Sequence, residues 1–402
     1  MAFTLTAEMA RFLQSPAAKT WLARAETLPL TPASHLRDVQ SLRKSLSPAL
    51  AAAVVEQTLL RRRAAEKFSR AAEMLFVRDA LEQSTREPLA RHRARRFAPF
   101  SRVADIGCGI GGDSIALAGE VSHVLAVDID RTRLEFAVHN AAVYDVRQKI
   151  GFVQADGLRL PAPSAAIDAV FADPARRSDG KRTFNPKIYR PPPDELLRRF
   201  GQKPLGVKLA PGIDFSGLPP HAEIEIVSFG GEAKEAVLWL NGLATAGVSR
   251  RATVLPAGET ITDAADDVCA VGAPGAVLCE PDAAVIRAGL VKQVGARLGL
   301  HLLDEHIAYL SGDEPPSSSL VRCYHIEAQL PLKVKAINRY ARRHHIRRLN
   351  VKQRGTGLAP EKVAGQLKLA KEGTERTLIL MRVQSRHIAL ICRRFPVPMN
   401  NE

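Results

Sequence analysis

The residues best suited to chemistry in this sequence are a glycine-rich stretch, DIGCGIGGD, and a series of aspartates that follow it. Glycines let the backbone turn sharply and approach a ligand, and a helix that starts there offers unpaired N–H groups. The stretch follows a short apolar run and precedes a helical segment, so it predicts a ligand-binding loop. The polar and glycine positions of this loop are Asp105, Gly107, Gly109, Gly111, Gly112 and Asp113.

Two ligand classes fit the loop. Gly107, Gly109 and Gly112 satisfy G-x-G-x-x-G, and Asp128 ends the next apolar run about 20 residues later, as in dinucleotide-binding proteins. Asp105, however, stands two residues before the first glycine, where a carboxylate would repel a pyrophosphate but can reach a cationic amino group. A dinucleotide oxidoreductase is therefore the weaker interpretation.

Two more motifs follow the third and fourth apolar runs. Asp156 and Gly157 come after the third, where a carboxylate can bind the amino group of adenine. The sequence Asp-Pro-Ala-Arg at 173–176 comes after the fourth. Ligands of open α/β sheets bind at the carboxyl ends of the strands, so both motifs are expected at one edge with the glycine loop.

Strands and helices that alternate along the chain must position these groups. Apolar runs joined by crossovers predict a mainly parallel, doubly wound sheet. Before it, periodic Ala, Leu and Arg predict a helical domain, and after it the pattern predicts an α+β domain. The predicted domains are 1–97, 98–248 and 249–402. The predicted strands are 103–107, 123–130, 149–156, 168–174, 205–211, 222–228 and 235–240, with a further pair at 377–383 and 387–394.

The four motifs in this order resemble the class I S-adenosylmethionine-dependent methyltransferases over residues 102–240. The resemblance implies a Rossmann-like seven-stranded methyltransferase domain with S-adenosyl-L-methionine as cofactor. In that family the glycine loop wraps the methionine part, which places Asp105, Gly107, Gly109 and Gly111 there with Asp113 close by. The positions implied for the rest of the cofactor are Asp128 at the ribose hydroxyls, Ile129 on the adenine ring, and Asp156 beside Gly157 at the adenine amino group.

The fourth-strand motif is similar to the (Asp/Asn/Ser)-Pro-Pro-aromatic motif of methyltransferases that act on amino or ring nitrogens. The resemblance implies that Asp173 accepts a hydrogen bond from the target nitrogen and that Pro174 shapes the turn. Arg176 stands in place of the aromatic residue, and it can stack on a base or grip a phosphate. Phe184 and Tyr189 are alternative stacking platforms, although a loop-anchoring contact is the simpler interpretation of each.

Composition and charge exclude several classes of protein. The chain has 402 residues, 46% of them hydrophobic, which is typical of globular proteins and excludes a disordered or collagen-like chain. No apolar run is long enough for a membrane span, and no secretory signal is visible. The five cysteines are well separated in sequence, which favours reduced thiols over a disulfide framework and predicts a cytoplasmic protein. Their spacing also predicts that they form no metal site. The cysteines are Cys108, Cys269, Cys279, Cys323 and Cys392.

The net charge of +15 is concentrated at both ends. Residues 1–97 carry 17 basic and 9 acidic residues, and 333–354 hold nine Lys or Arg without an acid. The second run predicts contact with RNA phosphates, with Tyr340 available to stack on a base, whereas His344 and His345 lack partners for a metal. The RNA-binding candidates are Lys335, Arg339, Arg342, Arg343, Arg347, Arg348 and Lys352.

Other segments extend the resemblance beyond the methyltransferase core. Residues 279–291 and 351–357, with the terminal strand pair, resemble the THUMP-like domain of bacterial proteins, and true THUMP domains bind tRNA. Asp282 in the first of these segments is predicted to cap a helix. Residues 81–97 resemble the lead-in of trimethylguanosine synthases, which makes Glu82 and Thr85 candidate pocket contacts, or simply a helix end.

The sequence thus predicts a methyltransferase that acts on a nitrogen of a base in structured RNA such as tRNA. Two alternatives stay open. One is a methyltransferase for a protein side chain or a small molecule, because Arg176 departs from the base-stacking pattern. The other is a non-catalytic RNA-binding or assembly protein that retains a cofactor pocket.

Overall fold

The computed structural model describes residues 5–160, 164–175, 177–178, 181–182, 188–215, 217–383 and 386–395. The chain forms two compact units. The first comprises Met1–Ala222 and Ala236–Thr245, and the second comprises Glu223–Glu235 and Ala246–Glu402. The helices of the predicted N-terminal domain belong to the first unit together with the predicted methyltransferase core, and the boundary at residue 97 stays a prediction.

The described part of the N-terminal segment, residues 5–97, is mainly helical, as the sequence predicts. Ser15 and Ser47 cap two of the helices by accepting hydrogen bonds from backbone N–H groups, and a proline occupies the first turn of each. Ile110 and Phe136, from beyond this segment, lie in the same apolar cluster as these helices. The helices are α1 (Ala7–Leu13), α2 (Pro16–Glu26), α3 (His35–Arg43), α4 (Pro48–Ala64), α5 (Arg78–Gln83) and α6 (Glu87–Ala94).

The core of the first unit alternates strands with helices. Its elements are β1 (Arg102–Ile106), α7 (Gly112–Glu120), β2 (His123–Asp128), α8 (Arg131–Val143), β3 (Ile150–Gln154), β4 (Ala169–Ala172), β5 (Arg177–Ser178), β6 (Lys181–Arg182), α9 (Pro193–Phe200) and β7 (Leu205–Leu209). The sheet runs in the order β3-β2-β1-β4-β7, all parallel. Every residue of β4 and β7 is buried, as expected for parallel strands covered on both faces. The predicted α/β class and strand positions are confirmed.

Two strands follow, β8 (Glu223–Phe229) and β9 (Glu232–Leu240). Residues 236–240 of β9 pair antiparallel with β7 and extend the sheet of the first unit. At the opposite end of the predicted domain, the segment Arg95–Phe97 leads into β1, and the Phe97 ring packs edge-on against Phe171 and Trp239. These contacts place Phe97 in one apolar cluster with residues of β4 and β9.

The second unit contains most of the C-terminal α+β region. Its further elements are β10 (Arg250–Leu255), β11 (Glu259–Thr262), β12 (Val277–Pro281), α10 (Ala283–Ala288), α11 (Val291–Leu298), β13 (His301–Asp304), β14 (Ile307–Gly312), β15 (Val321–Pro331), α12 (Val334–Arg343), β16 (Ile346–Arg354), α13 (Pro360–Ala364), β17 (Thr374–Val383) and β18 (Arg386–Arg394). One sheet has the order β13-β14-β12-β15-β18-β17-β16. The predicted terminal strand pair is confirmed, and Asp282 caps α10 by accepting from Ala284 N at 2.8 Å.

A disulfide between Cys279 and Cys323 corrects the expectation of five reduced thiols. The two cysteines are 44 residues apart in sequence, but β12 and β15 pair antiparallel in the register that puts them directly opposite each other. Their spacing along the chain does not reveal this, because the register of two distant strands decides it. Cys108, Cys269 and Cys392 are free.

None of the helices in the described ranges is long and apolar enough to cross a membrane. Within the same ranges, no group of three or more His, Cys, Asp or Glu side chains is arranged to hold a metal ion.

Candidate active site

The glycine loop joins β1 to α7 in the predicted position. Gly107, Gly109 and Gly111 all have positive φ, of 79°, 56° and 89°, a conformation that side chains disfavour. A Cβ on Gly107 would lie 3.1 Å from the carbonyl oxygen of Asp173, so the loop passes directly over the turn that follows β4. The sequence therefore folds two of its motifs against each other.

Asp105 lies at the end of β1, fully buried beneath the loop. Its Oδ2 accepts a hydrogen bond from the Ser114 hydroxyl at 2.5 Å. Its Oδ1 is buried and has no hydrogen-bond partner among the described residues. Burial above all, and then the negative charge of Asp113, raise the pKa of Asp105 to about 8. A buried oxygen without a donor is costly, so this site is suited to a ligand that brings one.

Asp113 lies in the first turn of α7 and forms an ion pair with Arg93 of α6. Arg93 is 2% exposed, and its guanidinium lies over the ring of Phe171 at 5.2 Å. This arginine was not among the predicted site residues. The Asp113 carboxylate is engaged by Arg93, whereas Asp105 keeps one oxygen without a hydrogen-bond partner among the described residues. The two aspartates are therefore suited to different roles.

Asp128 closes the other side of the loop from the end of β2. One of its carboxylate oxygens accepts from Gly109 N at 2.8 Å and the other from Asp130 N at 2.9 Å. Each oxygen keeps a second lone pair for a ligand hydroxyl. The neighbouring Ile129 is 74% exposed, unusual for a large apolar side chain, and it is available to pack against a flat ligand.

Asp156 and Gly157 follow β3, as predicted. Asp156 is exposed, and its Oδ1 accepts from Leu158 N at 3.0 Å in a local turn. A Cβ on Gly157 would come within 2.2 Å of the Ile106 side chain, so the close approach of this turn to β1 requires glycine. The turn carries Asp156 to the same edge of the sheet as Asp105 and Asp128.

Asp173 lies at the same edge and has a partner that sequence reasoning missed. Lys208 of β7 is buried, and its Nζ donates to Asp173 Oδ2 at 2.5 Å and to Thr85 Oγ1 at 2.6 Å. Thr85, a candidate pocket contact, thereby joins the N-terminal segment to the fourth-strand motif. Lys208 is a single cation within an apolar strand, and this pattern could have indicated a buried ion pair. A charged side chain is buried only where it finds a partner.

The rest of the fourth-strand turn is partly described. Pro174 is buried, and Ala175 exchanges two backbone hydrogen bonds with Arg190. Tyr189 is 1% exposed, which agrees with a loop-anchoring contact rather than with a stacking platform. Arg176 and Phe184 lie outside the described residues.

Asn140 of α8 ties the loop to the N-terminal helices. Its Nδ2 donates to the carbonyls of Ile110 and Leu75 at 3.0 Å, and its Oδ1 accepts from Leu75 N at 2.8 Å. Asn140 is fully buried, so all of its contacts are protected from water. The position of the glycine loop thus depends on residues that precede the methyltransferase core.

The residues present fit the cofactor that the resemblance implies. S-adenosylmethionine carries an ammonium group, and the Asp105 Oδ1 is a buried acceptor in need of a donor. The glycines leave room for backbone contact, and Asp128 and Ile129 offer a hydrogen-bond acceptor and an apolar surface beside them. No pyrophosphate would be stabilised next to Asp105, which disfavours the dinucleotide alternative.

The predicted RNA-binding residues divide into two groups. The side chains at positions 335, 339, 342 and 343 are exposed on α12 and recur at the spacing of a single helix face, while Ile337 and Ala341 are buried. Arg348 is also exposed, and Arg347 pairs with Glu375 at 2.7 Å. Lys352 is separate from this group.

Lys352 belongs to a cluster inside the second unit. Its Nζ donates to Glu280 Oε2 at 2.5 Å and to the Tyr324 hydroxyl at 3.0 Å. Tyr340, the predicted base-stacking residue, stacks on His344 with ring centroids 4.0 Å apart. The exposed cations of α12 and the exposed Arg348 are therefore the part of the predicted RNA surface that a large polyanion could reach.

Three family models match parts of the chain. They are described as THUMP domain-like for residues 321–394, as RNA cap guanine-N2 methyltransferase for residues 100–176, and as a domain of unknown function for residues 6–64.

An uncharacterised S-adenosylmethionine-dependent methyltransferase of Mycobacterium tuberculosis is 40% identical over 326 residues, which cover 79% of this chain and 88% of that protein. The crystal structure of a protein from Porphyromonas gingivalis W83, assigned as a methyltransferase, has the same fold, with a TM-score of 0.77 at 21% identity over 98% of this chain and 100% of that one. The chain therefore belongs to the family of S-adenosylmethionine-dependent methyltransferases that includes the mycobacterial protein.

Proposed function

We propose that this enzyme methylates a nitrogen of a base in structured RNA, with tRNA as the first substrate to test. The observation that carries the proposal is the contact of the Asp173 turn with the glycine loop, where a Cβ on Gly107 would lie 3.1 Å from the Asp173 carbonyl oxygen. An acceptor group thus lies immediately beside the loop that is expected to hold the cofactor.

The chemistry requires little from the protein beyond orientation. The cofactor supplies an activated methyl group, and the enzyme must direct the lone pair of the target nitrogen at it. Asp173 Oδ1 and the Asp173 carbonyl are suited to accept hydrogen bonds from an amino group. Lys208 holds Oδ2 at 2.5 Å and so fixes the rotation of the carboxylate. Pro174 restricts the backbone of the same turn.

The cofactor roles in this proposal follow the order of the strands. The glycine loop and Asp105 hold the methionine part, Asp128 the ribose, and Ile129 the adenine ring. Asp156 reaches the adenine amino group with its free oxygen, beside Gly157. Asp113 acts through its ion pair with Arg93, which steadies the start of α7.

Cofactor binding is expected to release a proton near neutral pH. The pKa of Asp105 is raised to about 8, so the free enzyme holds this carboxyl largely protonated at pH 7. An ammonium group beside Oδ1 favours the ionised form, so binding lowers the pKa and the proton leaves. Cofactor affinity should accordingly rise as the pH is raised from 6 toward 8.

Calorimetry in buffers of different ionisation enthalpy measures this release directly. We expect it to approach one proton at pH 7 for the wild type and to vanish for Asp105→Asn. Asp156→Asn is the matched control, because Asp156 is exposed, and it should retain the release. Binding by the wild type at pH 7 without net proton release would contradict the assignment of Asp105.

The exposed cations of α12 support an RNA substrate. Lys335, Arg339, Arg342 and Arg343 lie on one helix face, and the described residues give no acidic partner within ion-pair distance of any of them. Such a stripe can neutralise several phosphates. The matches to the THUMP domain-like and the RNA cap guanine-N2 methyltransferase models favour the same class of substrate.

Removing charge from this stripe should weaken RNA binding and its salt dependence together. For Arg342→Gln/Arg343→Gln we expect the slope of log K against log salt to fall by about 1.5, since each phosphate contact contributes about 0.7 to 0.9. Filter binding of tRNA between low and moderate salt measures the slope. The control is Lys362→Gln/Lys371→Gln, which removes two exposed charges outside the stripe. Equal slopes for the two variants would rule out this surface.

The substrate class is tested by transfer of a labelled methyl group from S-adenosylmethionine to RNA, protein and metabolite fractions of cells that lack the gene. We expect label in small structured RNA. Label in protein or metabolites alone would support the other enzymatic alternative. Cofactor binding without transfer to any fraction would support a non-catalytic RNA-binding protein.

A further inference from the structure

A half-buried lysine, Lys67, holds the turn that joins α5 to α6. Its Nζ donates to the backbone carbonyls of Leu81, Glu82 and Ser84 at 2.6, 3.3 and 2.9 Å. Its own carbonyl accepts from Glu87 N at 2.8 Å, so the side chain and the backbone of Lys67 hold the two ends of the same turn. The last carbonyls of a helix lack partners within the helix, and an ammonium group is a suitable donor for them.

The turn carries Thr85, which contacts the lysine beside the fourth-strand motif. Thr85 is buried and directly follows Ser84, whose carbonyl Lys67 holds. Its Oγ1 accepts from Lys208 Nζ at 2.6 Å, and the same Nζ donates to Asp173 Oδ2 at 2.5 Å. A displaced turn would move the Thr85 hydroxyl away from Lys208 and so remove one of the two side-chain acceptors that orient its ammonium group. Only two side chains therefore separate Lys67 from Asp173.

The residues that follow Lys67 also contact the glycine loop. Phe68 is buried, and a Cβ on Gly112, the residue that begins α7, would lie 3.4 Å from its ring. Ser69 donates from its backbone N–H and from its hydroxyl to Glu87 Oε2, both at 2.8 Å. One short segment thus packs against the loop that is expected to hold the cofactor and holds the turn that reaches the fourth-strand motif. It is suited to keep the cofactor loop and that motif at a constant separation.

We propose that Lys67 is a positioning residue for methyl transfer. It holds the turn that places the Thr85 hydroxyl, the hydroxyl orients the Lys208 ammonium group, and the ammonium group restrains the Asp173 carboxylate. The inference rests on the proposed function, in which Asp173 directs the target nitrogen at the methyl group. A small error in the placement of a reacting group lowers the rate strongly, so Lys67 should affect turnover more than affinity.

Lys67→Met tests this role, because it removes the ammonium group and keeps a side chain of similar shape. We expect the turnover number to fall about tenfold, while KM for RNA and the affinity for S-adenosylhomocysteine change by less than about twofold. Lys67→Arg keeps the charge and the donors and should recover most of the activity. The matched control is Lys149→Met, since Lys149 is also half-buried and donates to a helix carbonyl, that of Ala118, at 2.9 Å. This control should keep its turnover number within about twofold of the wild type.

A double variant shows whether Lys67 acts through Lys208. If it does, Lys67→Met/Lys208→Met should have the turnover number of Lys208→Met alone, because the second change removes the group that the first one displaces. Thermal denaturation shows whether each variant is folded. Thr85→Val breaks the same connection with little change in side-chain shape, and it takes the place of Lys67→Met if that variant does not fold. Wild-type turnover in the folded variant, or losses that multiply in the double variant, would overturn the proposal.

Chemical labelling of Lys208 gives a readout that does not depend on methyl transfer. Lys208 is buried, so its amine should react slowly with an acylating reagent in the wild type. Lys67→Met should increase the labelling of Lys208 at least about threefold, as measured by mass spectrometry, and Lys149→Met should not. Equal labelling of Lys208 in the wild type and in folded Lys67→Met would overturn the proposal without any substrate being needed. Wild-type turnover in Asp173→Ala would instead refute the proposed function, so the two failures are distinguishable.

Discussion

Replacing Asp173 by alanine should lower the turnover number at least about 100-fold, because a target that loses its orienting acceptor is misaligned with the methyl group. The affinity for the cofactor should change by less than about twofold, since the side-chain contact that the structure gives Asp173 is to Lys208 rather than to the glycine loop. Single-turnover methyl transfer and calorimetric titration with S-adenosylhomocysteine separate the two effects.

Asp173→Asn is the matched control. Asparagine keeps an acceptor oxygen and can still receive the Lys208 hydrogen bond, and the resembling motif itself allows Asp, Asn or Ser at this position. We therefore expect Asp173→Asn to retain much more activity than Asp173→Ala. Equal activity of Asp173→Ala and the wild type would remove Asp173 from the mechanism.

Lys208 is expected to act as a positioning residue for the same step. Lys208→Met should lower the turnover number by roughly 10- to 100-fold without a matching change in KM, because the carboxylate of Asp173 is then free to rotate. The variant should also lower the free energy of unfolding by about 1 to 3 kcal/mol, since Asp173 loses its cation while its side chain is only 19% exposed. Denaturant titration and steady-state kinetics measure the two quantities.

The double variant Lys208→Met/Asp173→Asn distinguishes a positioning role from a purely structural one. Removing the unpaired charge should recover most of the stability that Lys208→Met loses. Activity should stay low, because the acceptor is still not held by a cation. If the double variant regains both stability and wild-type activity, Lys208 serves the fold alone.

Much of this fold could be predicted because its signals are local. The glycine loop, the aspartates at strand ends and the apolar runs each stand in one short stretch of chain, and the carboxyl ends of parallel strands meet at one edge. The sequence pattern alone predicts that Asp105, Asp128 and Asp173 lie at that edge. The cap at Asp282 follows from a similarly local pattern.

The residues that were missed depend on contacts between distant parts of the chain. Lys208 lies 123 residues from Thr85 and 35 residues from Asp173 in sequence, and only the packed structure brings its ammonium group to both side chains. Arg93 likewise reads as one more cation of a basic helix until its burial against Asp113 is seen. The Cys279–Cys323 disulfide depends in the same way on a strand register that the sequence does not specify locally.

The structure also shows which charges of the basic run at 333–354 are exposed. The run at 333–354 predicts one continuous basic surface, but Lys352 and Arg354 both contact Glu280 within the second unit. The exposed cations of α12 and Arg348 are the ones that remain available for the proposed RNA substrate. A basic run in the sequence can therefore contain more charges than a polyanion can reach. Strand residues alternate between the two faces of a sheet, so some of the charges face the protein.

We propose that the enzyme methylates a base of structured RNA through Asp173. The most direct test is mass spectrometry of the modified nucleosides of purified small RNA from cells with the gene, without it, and without it but carrying Asp173→Ala. We expect one methylated nucleoside to be lost with the gene, to return with the wild-type protein, and not to return with Asp173→Ala. An unchanged set of methylated nucleosides in cells that lack the gene would contradict it.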